Sequence, residues 1–283
     1  MSANGPPVYR MKGPSALGGD RRRFFNLATT LALSEYRLRF FGSILGYAWS
    51  LARPLMLFGI LYFVFSEVLD VAEGVRFYGV ILLMGMLLYL YFAEATGGSV
   101  TSVVERENLV RKIQFPRMII PLSVVLTATL NLVANFIALF IFMAAAGVDI
   151  RWTWLELPVL VAILFVFSMG ISMLVSALFV PFRDMRPIWE VVLQALFYAT
   201  PVLYPIELLA REYETVAKVV MCNPLAAVIQ QARYALIDPQ AQSAGAALGD
   251  PTLLLIPGAI VVLTFALGFW VFNHMAPSVA EDL

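Results

Sequence analysis

The sequence contains few of the residues from which most catalytic and metal sites are built. Among its 283 residues there is one cysteine, Cys222, and one histidine, His274. These counts argue against a disulfide framework, a Cys/His metal site and a Ser-His-Asp triad. The pattern G-x-x-x-x-G-K-[ST] is also absent, so the chain carries no recognisable ATP site of its own. We therefore expect neither an enzymatic activity nor a cofactor in this chain.

Charge is scarce as well, since Asp, Glu, Lys and Arg together make up 13% of the residues. No apolar stretch precedes the arginine cluster at 21–23, which argues against a cleaved signal peptide and indicates a mobile cytosolic tail over residues 1–20. Hydrophobic residues, in contrast, make up 61% of the chain, and the mean hydropathy is +0.83. This composition indicates a polytopic membrane protein and not a soluble globular one.

An amphipathic pattern follows the tail. Apolar residues recur at helical spacing from residue 24 to about residue 52, while Asn26, Thr30, Ser34 and Arg37 fall on other faces. The arginines of this stretch suit an anionic inner leaflet. The pattern predicts a helix that lies in the cytosolic membrane interface, over residues 21–53.

Residues 54–274 alternate long apolar segments with short polar ones, which predicts an all-α transmembrane domain of six helices. The predicted spans are residues 54–69, 77–103, 118–146, 155–180, 187–203 and 253–272. Pro54 suits the first turn of the first span. Fourteen of the 19 Lys and Arg residues fall on the side of the termini and of the turns at 105–117 and 181–187. That side is therefore predicted to be cytosolic, including a tail over residues 275–283.

The turn at residues 105–117 combines charge with apolar residues. Five charged residues precede Pro116, an apolar run begins after it, and Arg117 is placed to extend toward the lipid headgroups. Leu109, Val110 and Ile113 lie among the charges. The segment is either a solvated loop or a short helix that contacts a cytosolic partner, and these apolar residues favour the contact.

The segment at residues 204–250 is predicted to be external and partly helical. A first helix covers residues 206–221, and a second starts at Pro224 with Asn223 as its cap. The first helix carries two i,i+4 ion pairs, Glu207/Arg211 and Glu214/Lys218. Its predicted apolar stripe is Leu209, Tyr213, Val216 and Val220. The predicted apolar stripe of the second helix is Leu225, Val228, Ile229, Ala232 and Leu236. Both helices are too short to span, so they re-enter the membrane or lie on it. Residues 242–249 have no assignment.

Three spans carry polar residues at every fourth position. These are Thr127, Asn131 and Asn135 in the third span, Ser168, Ser172 and Ser176 in the fourth, and Glu190, Gln194 and Tyr198 in the fifth. For Asn and Ser, helix packing is the simplest explanation, and the serines have the spacing of a small-residue seam. A carboxylate near hydrocarbon is costly without water or a partner, so Glu190 and Glu94 either reach the interface or have a polar role.

Two aromatic clusters are candidates for a sugar path. They are Phe58, Tyr62 and Phe65 in the first span and Phe197, Tyr198 and Tyr204 in and after the fifth. Aromatic rings offer flat apolar faces to the C–H faces of sugars, and phenols hydrogen-bond hydroxyls. Membrane aromatics also serve as interfacial belts and core filler, and that alternative stays open. With Glu190 and Gln194, these residues form the candidate substrate path.

Five segments in this order resemble one family. They read LGYAWSLARPL (45–55), FPRMIIPLS (115–123), PFRDMRPI (181–188), ATPVLYP (199–205) and NPLAAVIQQAR (223–233). The chain resembles the membrane subunit of ABC-2 type exporters, in the branch that carries O-antigen, capsule and teichoic-acid polymers. The resemblance implies outward transport of a lipid-linked polysaccharide across the bacterial cytoplasmic membrane, with both termini in the cytosol.

The resemblance also implies partners and roles for the turns. It implies a homodimer paired with two cytosolic ATPase subunits, which hold ATP and Mg. Residues 105–117 would be the coupling helix, and residues 204–250 an external gate. The residues implied to face the ATPase are Glu105, Arg106, Glu107, Asn108, Leu109, Val110, Arg111, Lys112, Phe182, Arg183 and Asp184.

Three other functions are alternatives. An ABC-2 permease for a drug, lipid or other small amphiphile differs only in cargo, and the abundant aromatics favour a sugar. A membrane-embedded glycosyl- or acyltransferase needs clustered Asp, Glu or His at a membrane face, and His274 has no acidic cluster around it. An ion-coupled secondary transporter would show buried midplane charges and inverted repeats, and neither is visible.

Overall fold

The computed structural model describes residues 21–40, 46–71, 74–106 and 116–275, and no β-strand occurs among them. The helices are α1 (Arg21–Phe40), α2 (Gly46–Tyr62), α3 (Tyr78–Val100), α4 (Ser102–Glu105), α5 (Ile119–Ala145), α6 (Glu156–Leu178), α7 (Met185–Ala199), α8 (Ile206–Glu212), α9 (Glu214–Met221), α10 (Pro224–Ala232), α11 (Ala244–Leu248) and α12 (Leu255–Met275). Turns of π-helix at Phe63–Val68 and Arg233–Ile237 extend α2 and α10, and 3₁₀ turns at Trp152–Leu155 and Pro251–Leu254 precede α6 and α12.

Five segments of the described chain are long and apolar enough to cross a membrane. They are Ala48–Val68, Tyr78–Val100, Ile119–Ala145, Trp152–Leu178 and Pro251–Met275. The prediction of an all-α protein with several membrane spans is confirmed.

The predicted span at 187–203 is not among these five. Helix α7 has 15 residues, which is about 22 Å of helix against a hydrocarbon core of about 30 Å. It ends at Ala199 because Thr200 precedes Pro201, and a residue before proline is disfavoured in the helical region; Thr200 is extended, with ψ 153°. A sixth span that includes α7 stays a prediction.

The first span begins earlier than its predicted boundary at residue 54. Helix α2 starts at Gly46 and contains Pro54 in its interior instead of its first turn. A proline inside a helix removes one backbone hydrogen bond, and membrane helices tolerate this where neighbouring groups take up the freed carbonyl. The predicted interfacial segment is correspondingly shorter as a helix, since α1 ends at Phe40.

Helix α3 lies at the centre of the fold. It is apolar on all sides, as expected of a helix surrounded by other helices. Its residues from Val80 to Tyr89 are buried, and Leu82, Leu83 and Met84 are fully so. It packs against α2, α5, α6 and α7. Any surface for cargo or partner must therefore be built on the helices around α3 or at the ends of α3, where Gly98 is exposed.

Helices α6 and α12 cross at two glycines. A Cβ atom on Gly268 would lie 2.0 Å from the carbonyl oxygen of Gly170, and one on Gly170 would lie 2.7 Å from the Cα of Phe265. Another face of α6 packs on α3 through Ser168, Ser172 and Ser176, which are fully buried. The Ser172 hydroxyl donates to the carbonyl oxygen of Ala95 at 3.2 Å. The predicted serine seam is confirmed.

Helix α1 packs on α5. Its buried face consists of Phe24, Ala28 and Ala32, spaced four residues apart, and the hydroxyl of Thr127 donates to the carbonyl oxygen of Ala32 at 3.3 Å. The opposite residues, among them Phe25 and Leu33, are exposed. One face of the predicted interfacial helix therefore packs against α5 and is not free to contact lipid.

The first predicted external helix is broken in two. Tyr213 leaves the helical region (φ −135°, ψ 66°) and separates α8 from α9. The break changes the phase of the two pieces, so the predicted stripe is wrong at two of its four residues: Tyr213 is 58% exposed and Val216 48%. Leu209 and Val220 pack against buried residues as predicted. Ala217 and Met221 are the buried residues of α9.

The second predicted external helix is confirmed in detail. The Asn223 side chain accepts from the backbone N–H of Leu225 at 3.0 Å, and Pro224 stands in the first turn. All five residues of its predicted stripe are buried.

Residues 242–249, which had no assignment from the sequence, contain α11. Ser243 caps this helix, and Gly249 ends it at φ 91°. Ala244 and Leu248 of α11 complete the small core under α8 and α9.

Candidate coupling and transport surfaces

The predicted coupling segment begins at the end of α4. Glu105 is exposed, and six of its expected ATPase-facing residues, 107–112, lie outside the described residues. Arg106 is half-buried and forms an ion pair with Glu35 of α1. Its Nη1 also donates to the carbonyl oxygen of Ile120 at 3.4 Å. The start of the segment is thus tied to α1 and to the first turn of α5.

Arg117 does not extend toward the headgroups as predicted. Arg117 is 7% exposed, and its Nη1 is buried with no hydrogen-bond partner among the described residues. Burial lowers the pKa of the guanidinium. Pro116 and Met118 on either side of it are half-buried, so protein covers this turn, whereas the sequence predicted that Arg117 extends toward the headgroups.

The turn between α6 and α7 carries the other predicted ATPase contacts. Phe182, Arg183 and Asp184 are all exposed, Phe182 to 62%. The Arg183 guanidinium lies 5.1 Å from the centre of the Phe179 ring. The turn is therefore open to a partner, as a contact surface requires.

A cavity of about 320 Å³ lies between the end of α3 and the start of α7. We call it the α3–α7 cavity; its lining residues are Gly97, Gly98, Val100, Thr101, Glu105, Arg186, Trp189 and Glu190. The Trp189 indole N–H donates to the hydroxyl of Thr96 at 3.1 Å. The Nε of Arg186 donates to the Oε1 of Glu190 at 3.1 Å. The cavity adjoins both predicted coupling segments, since Glu105 belongs to one and Arg186 follows the other.

Helix α7 has one face toward α3 and one open face. Trp189 and Leu193 face α3, and the Tyr89 hydroxyl donates to the Leu193 carbonyl oxygen. The open face carries the predicted polar residues, which we call the α7 stripe: Glu190, Gln194 and Tyr198 are all exposed. Glu190 forms an ion pair with Arg186 of the same helix, so its charge has a partner within the chain.

The aromatic candidates divide between core and surface. Phe58 is buried, with its ring centre 5.6 Å from that of Phe142, and Phe197 packs on Tyr89 at 4.9 Å. Tyr62, in contrast, is 38% exposed and Tyr198 is 61% exposed. Phe65 and Tyr204 are half-buried beside the core. Among the six, Tyr62 and Tyr198 have the most open rings.

Polar residues inside the spans pair with each other. The Asn131 amide donates to the Glu94 carboxylate at 2.6 Å, and the Asn135 amide donates to the Asn131 carbonyl oxygen at 2.8 Å. The first contact joins α5 to α3, and the second is an i,i+4 contact within α5. The first agrees with the helix-packing interpretation of Asn131.

A second ion pair holds the outer segment together. Glu207 of α8 meets Arg233 at 2.6 Å, and their side chains are 23% and 7% exposed. Glu207 also accepts from the backbone N–H of Gln242 at 3.1 Å. The predicted Glu207/Arg211 pair is thus replaced by a distant partner. The Glu214/Lys218 pair forms as predicted, at 2.6 Å.

Comparison with known proteins identifies the family. The profile of the ABC-2 type transporter family matches residues 27–237. The chain belongs to this family. The matched region of this ABC-2 family member runs from α1 to the end of the π turn after α10 and so contains α7, the α3–α7 cavity and most of the outer segment.

Three relatives of this ABC-2 family member carry informative names. The O-antigen export system permease protein RfbA of Klebsiella pneumoniae is 30% identical over 207 residues, covering 72% of this chain and 78% of the relative. Its namesake in Myxococcus xanthus is 28% identical over 190 residues (67% and 72%). The polysialic acid transport protein KpsM of Escherichia coli is 25% identical over 212 residues (73% and 80%).

Sequence reasoning missed several residues of these surfaces. Trp189 lies next to Glu190 in the chain but on another face of α7, so the four-residue spacing did not include it. The Arg186–Glu190 pair has the i,i+4 spacing of a helical ion pair and was detectable. Glu35 and Arg233 pair with residues 71 and 26 positions away, and no local pattern indicates such contacts.

Proposed function

We propose that this chain is the permease subunit of an ATP-driven exporter that moves a cell-surface polysaccharide, linked to a lipid, outward across the bacterial cytoplasmic membrane. The observation that carries the proposal is the alignment of about two thirds or more of the chain with relatives named for O-antigen export and polysialic acid transport. A permease for a drug or another small amphiphile shares the family but not these relatives.

In this proposal α7 is the fifth of six membrane crossings, completed by the chain that follows it. Residues 200–203 are buried, and the Val202 backbone approaches α3 so closely that a Cβ on Gly85 would lie 3.4 Å from it. Both termini then face the cytosol, in agreement with the basic residues near the turns at 105–117 and 181–187. Helices α8–α11 form the external gate at the other end.

The glycan path lies between two copies of the chain. Within the described residues, the centre of the fold is packed with buried side chains, so the helices around α3 leave no channel there for a hydrated polymer inside one copy. The open face of α7 offers hydroxyl and carboxylate groups, and α2 exposes Ile60, Tyr62 and Phe63. A second copy that faces these helices would enclose a path with both polar and aromatic walls.

ATP and Mg belong to a separate ATPase in this proposal. Two ATPase subunits contact the permease dimer through the coupling segment at 105–117 and through Phe182, Arg183 and Asp184. The exposure of the latter turn supports the second contact.

Deletion of the gene in its own host tests the proposal. The expected result is loss of polymer from the cell surface, with intracellular accumulation of lipid-linked glycan, and recovery on complementation. Extracted lipid-linked glycan is measured by gel electrophoresis with carbohydrate staining. Unchanged surface polymer, together with altered resistance to a small amphiphile, would instead favour the alternative cargo.

A further inference from the structure

We propose that the α3–α7 cavity is a saccharide-binding subsite, which holds a unit of the glycan at the foot of the α7 stripe. The inference rests on the polysaccharide cargo proposed above and adds the first site at which the protein binds the glycan.

The cavity has a suitable size and a fixed aromatic wall. Its volume of about 320 Å³ is at the small end of the roughly 300–1,000 Å³ that ligand pockets occupy, so it takes a short piece of polymer at a time. Trp189 lines it, and the hydrogen bond from its indole N–H to Thr96 holds the ring in place. Trp189 also packs against buried residues of the core. The part of the indole that lines the cavity offers an apolar surface to the C–H groups of a sugar, and the ring loses little further side-chain freedom on binding.

The polar groups around the ring match hydroxyls. The contact between Arg186 and Glu190 joins Nε to Oε1. It leaves the terminal N–H groups of the guanidinium and the second carboxylate oxygen beside the cavity, and Thr101 adds a hydroxyl. Sugar hydroxyls both donate and accept, so they need donors and acceptors side by side, as this ion pair provides.

Charge argues against an anionic ligand. Among the described residues, the titratable ones that line the cavity are Glu105, Glu190 and Arg186, which together carry a formal net charge of −1. A phosphate would be repelled by the carboxylates, whereas a neutral, hydroxyl-rich group is not. The cavity is therefore assigned to the glycan itself and not to its phosphate linkage.

The cavity is continuous with the open face of α7. Glu190 both lines the cavity and begins the α7 stripe, and Gln194 and Tyr198 follow at one-turn intervals of about 6 Å. A sugar unit that leaves the cavity thus meets the next polar side chain about one helical turn further along α7.

Photochemical cross-linking in cells tests the assignment. A benzoylphenylalanine residue replaces Thr101 in the cavity lining or, as control, Trp270, which is 64% exposed on α12. After irradiation the permease is purified and stained for carbohydrate. We expect a carbohydrate-bearing adduct at position 101 and none at 270, and its disappearance when glycan synthesis is blocked. A permease that exports normally but gives no adduct at 101 would overturn the assignment.

Substitutions supply an independent readout. Trp189→Ala and Glu190→Gln should lower surface glycan roughly two- to tenfold, the range that one aromatic or polar contact supports. Ile188→Ala, on the same helix outside the lining, should leave it unchanged. Permease abundance and co-purified ATPase are measured in parallel.

The outcomes separate this inference from the proposed function. Wild-type surface glycan in both cavity variants, with glycan lost on gene deletion, overturns only the cavity assignment. Surface glycan that survives gene deletion overturns the proposed function. Loss of ATPase co-purification in Glu190→Gln, without any carbohydrate adduct at position 101, would show a docking site for the ATPase instead.

Discussion

At the residue scale, two aromatic side chains with the same sequence signature have different surroundings. Phe58 and Tyr198 each belong to a stripe of rings at helical spacing, yet Phe58 is buried against Phe142 and Tyr198 is 61% exposed. Spacing defines which side chains share a face of a helix, but the neighbouring helices decide whether that face is covered. A role in transport is consequently expected of Tyr198 and not of Phe58.

Replacing each ring by alanine separates the two roles. Tyr198→Ala should lower surface glycan while the permease stays in the membrane at its normal level. Phe58→Ala removes a buried ring, at a cost of about 3–5 kcal/mol of unfolding free energy, and should lower the amount of folded permease. Surface-glycan staining normalised to permease abundance distinguishes them. A normal amount of surface glycan in Tyr198→Ala would contradict a transport role and indicate that Tyr198 contacts lipid or packs against protein.

The Glu207–Arg233 pair is a second residue-scale test. Glu207→Ala leaves a buried guanidinium without its counterion, which costs about 3–5 kcal/mol. The thermal unfolding midpoint in detergent should fall by on the order of 10 °C. Glu214→Ala removes an acid from an exposed pair and should cause no measurable shift. Equal midpoints for both variants would contradict the buried character of the outer pair.

At the element scale, the crossing of α6 and α12 depends on missing side chains. Gly170 and Gly268 let the two backbones approach so closely that a Cβ on Gly268 would lie 2.0 Å from the carbonyl oxygen of Gly170. Small residues permit such approach in membrane helices, where packing and not hydrophobic burial drives association. Glycines are common in apolar membrane helices, so the presence of Gly170 and Gly268 in the sequence does not by itself predict that their helices cross there.

Two alanine substitutions in α12 form a matched pair. Gly268→Ala would place Cβ 2.0 Å from a carbonyl oxygen, whereas Cβ at position 258 would meet nothing within 4 Å. We expect Gly268→Ala to separate the helices and to lower the yield of monodisperse permease, and Gly258→Ala to behave as wild type. Size-exclusion profiles of the detergent-solubilised proteins measure the difference. Indistinguishable profiles would mean that α6 and α12 do not cross at these residues.

The proposed coupling segment, residues 105–117, has a test of its own. Leu109→Ala combined with Val110→Ala removes two apolar side chains from the predicted contact face, each worth roughly 2–5 kcal/mol if buried by a partner. The double variant should remain in the membrane but lose ATPase association or export. Co-purification and surface-glycan staining report the two effects. Wild-type values in both would identify residues 105–115 as a solvated loop.

At the scale of the whole molecule, orientation connects every surface to its partner. The proposed gate and the proposed coupling segment must face opposite sides of the membrane. In a Cys222→Ser background, a cysteine at Glu214 should react with an impermeant thiol reagent added to intact cells, and one at Asn108 should not. Glu214 is suitable because its side chain is 72% exposed. The reverse labelling pattern would invert the topology and remove the gate assignment.

The sequence by itself determined the protein class, most spans and the capped helix at Pro224. These features are local: length, hydropathy and caps act over a few turns and need no distant partner. The family followed from the resemblance of five segments to known exporters. The all-α fold, the serine seam and the Asn223 cap followed directly.

Only the tertiary structure decided which faces are covered and which distant residues meet. It broke the outer helix at Tyr213, buried Arg117, paired Glu207 with Arg233 and placed Trp189 beside the cavity under the α7 stripe. Each outcome depends on how helices far apart in sequence pack, and a periodic pattern shows which residues share a face but not what lies against it.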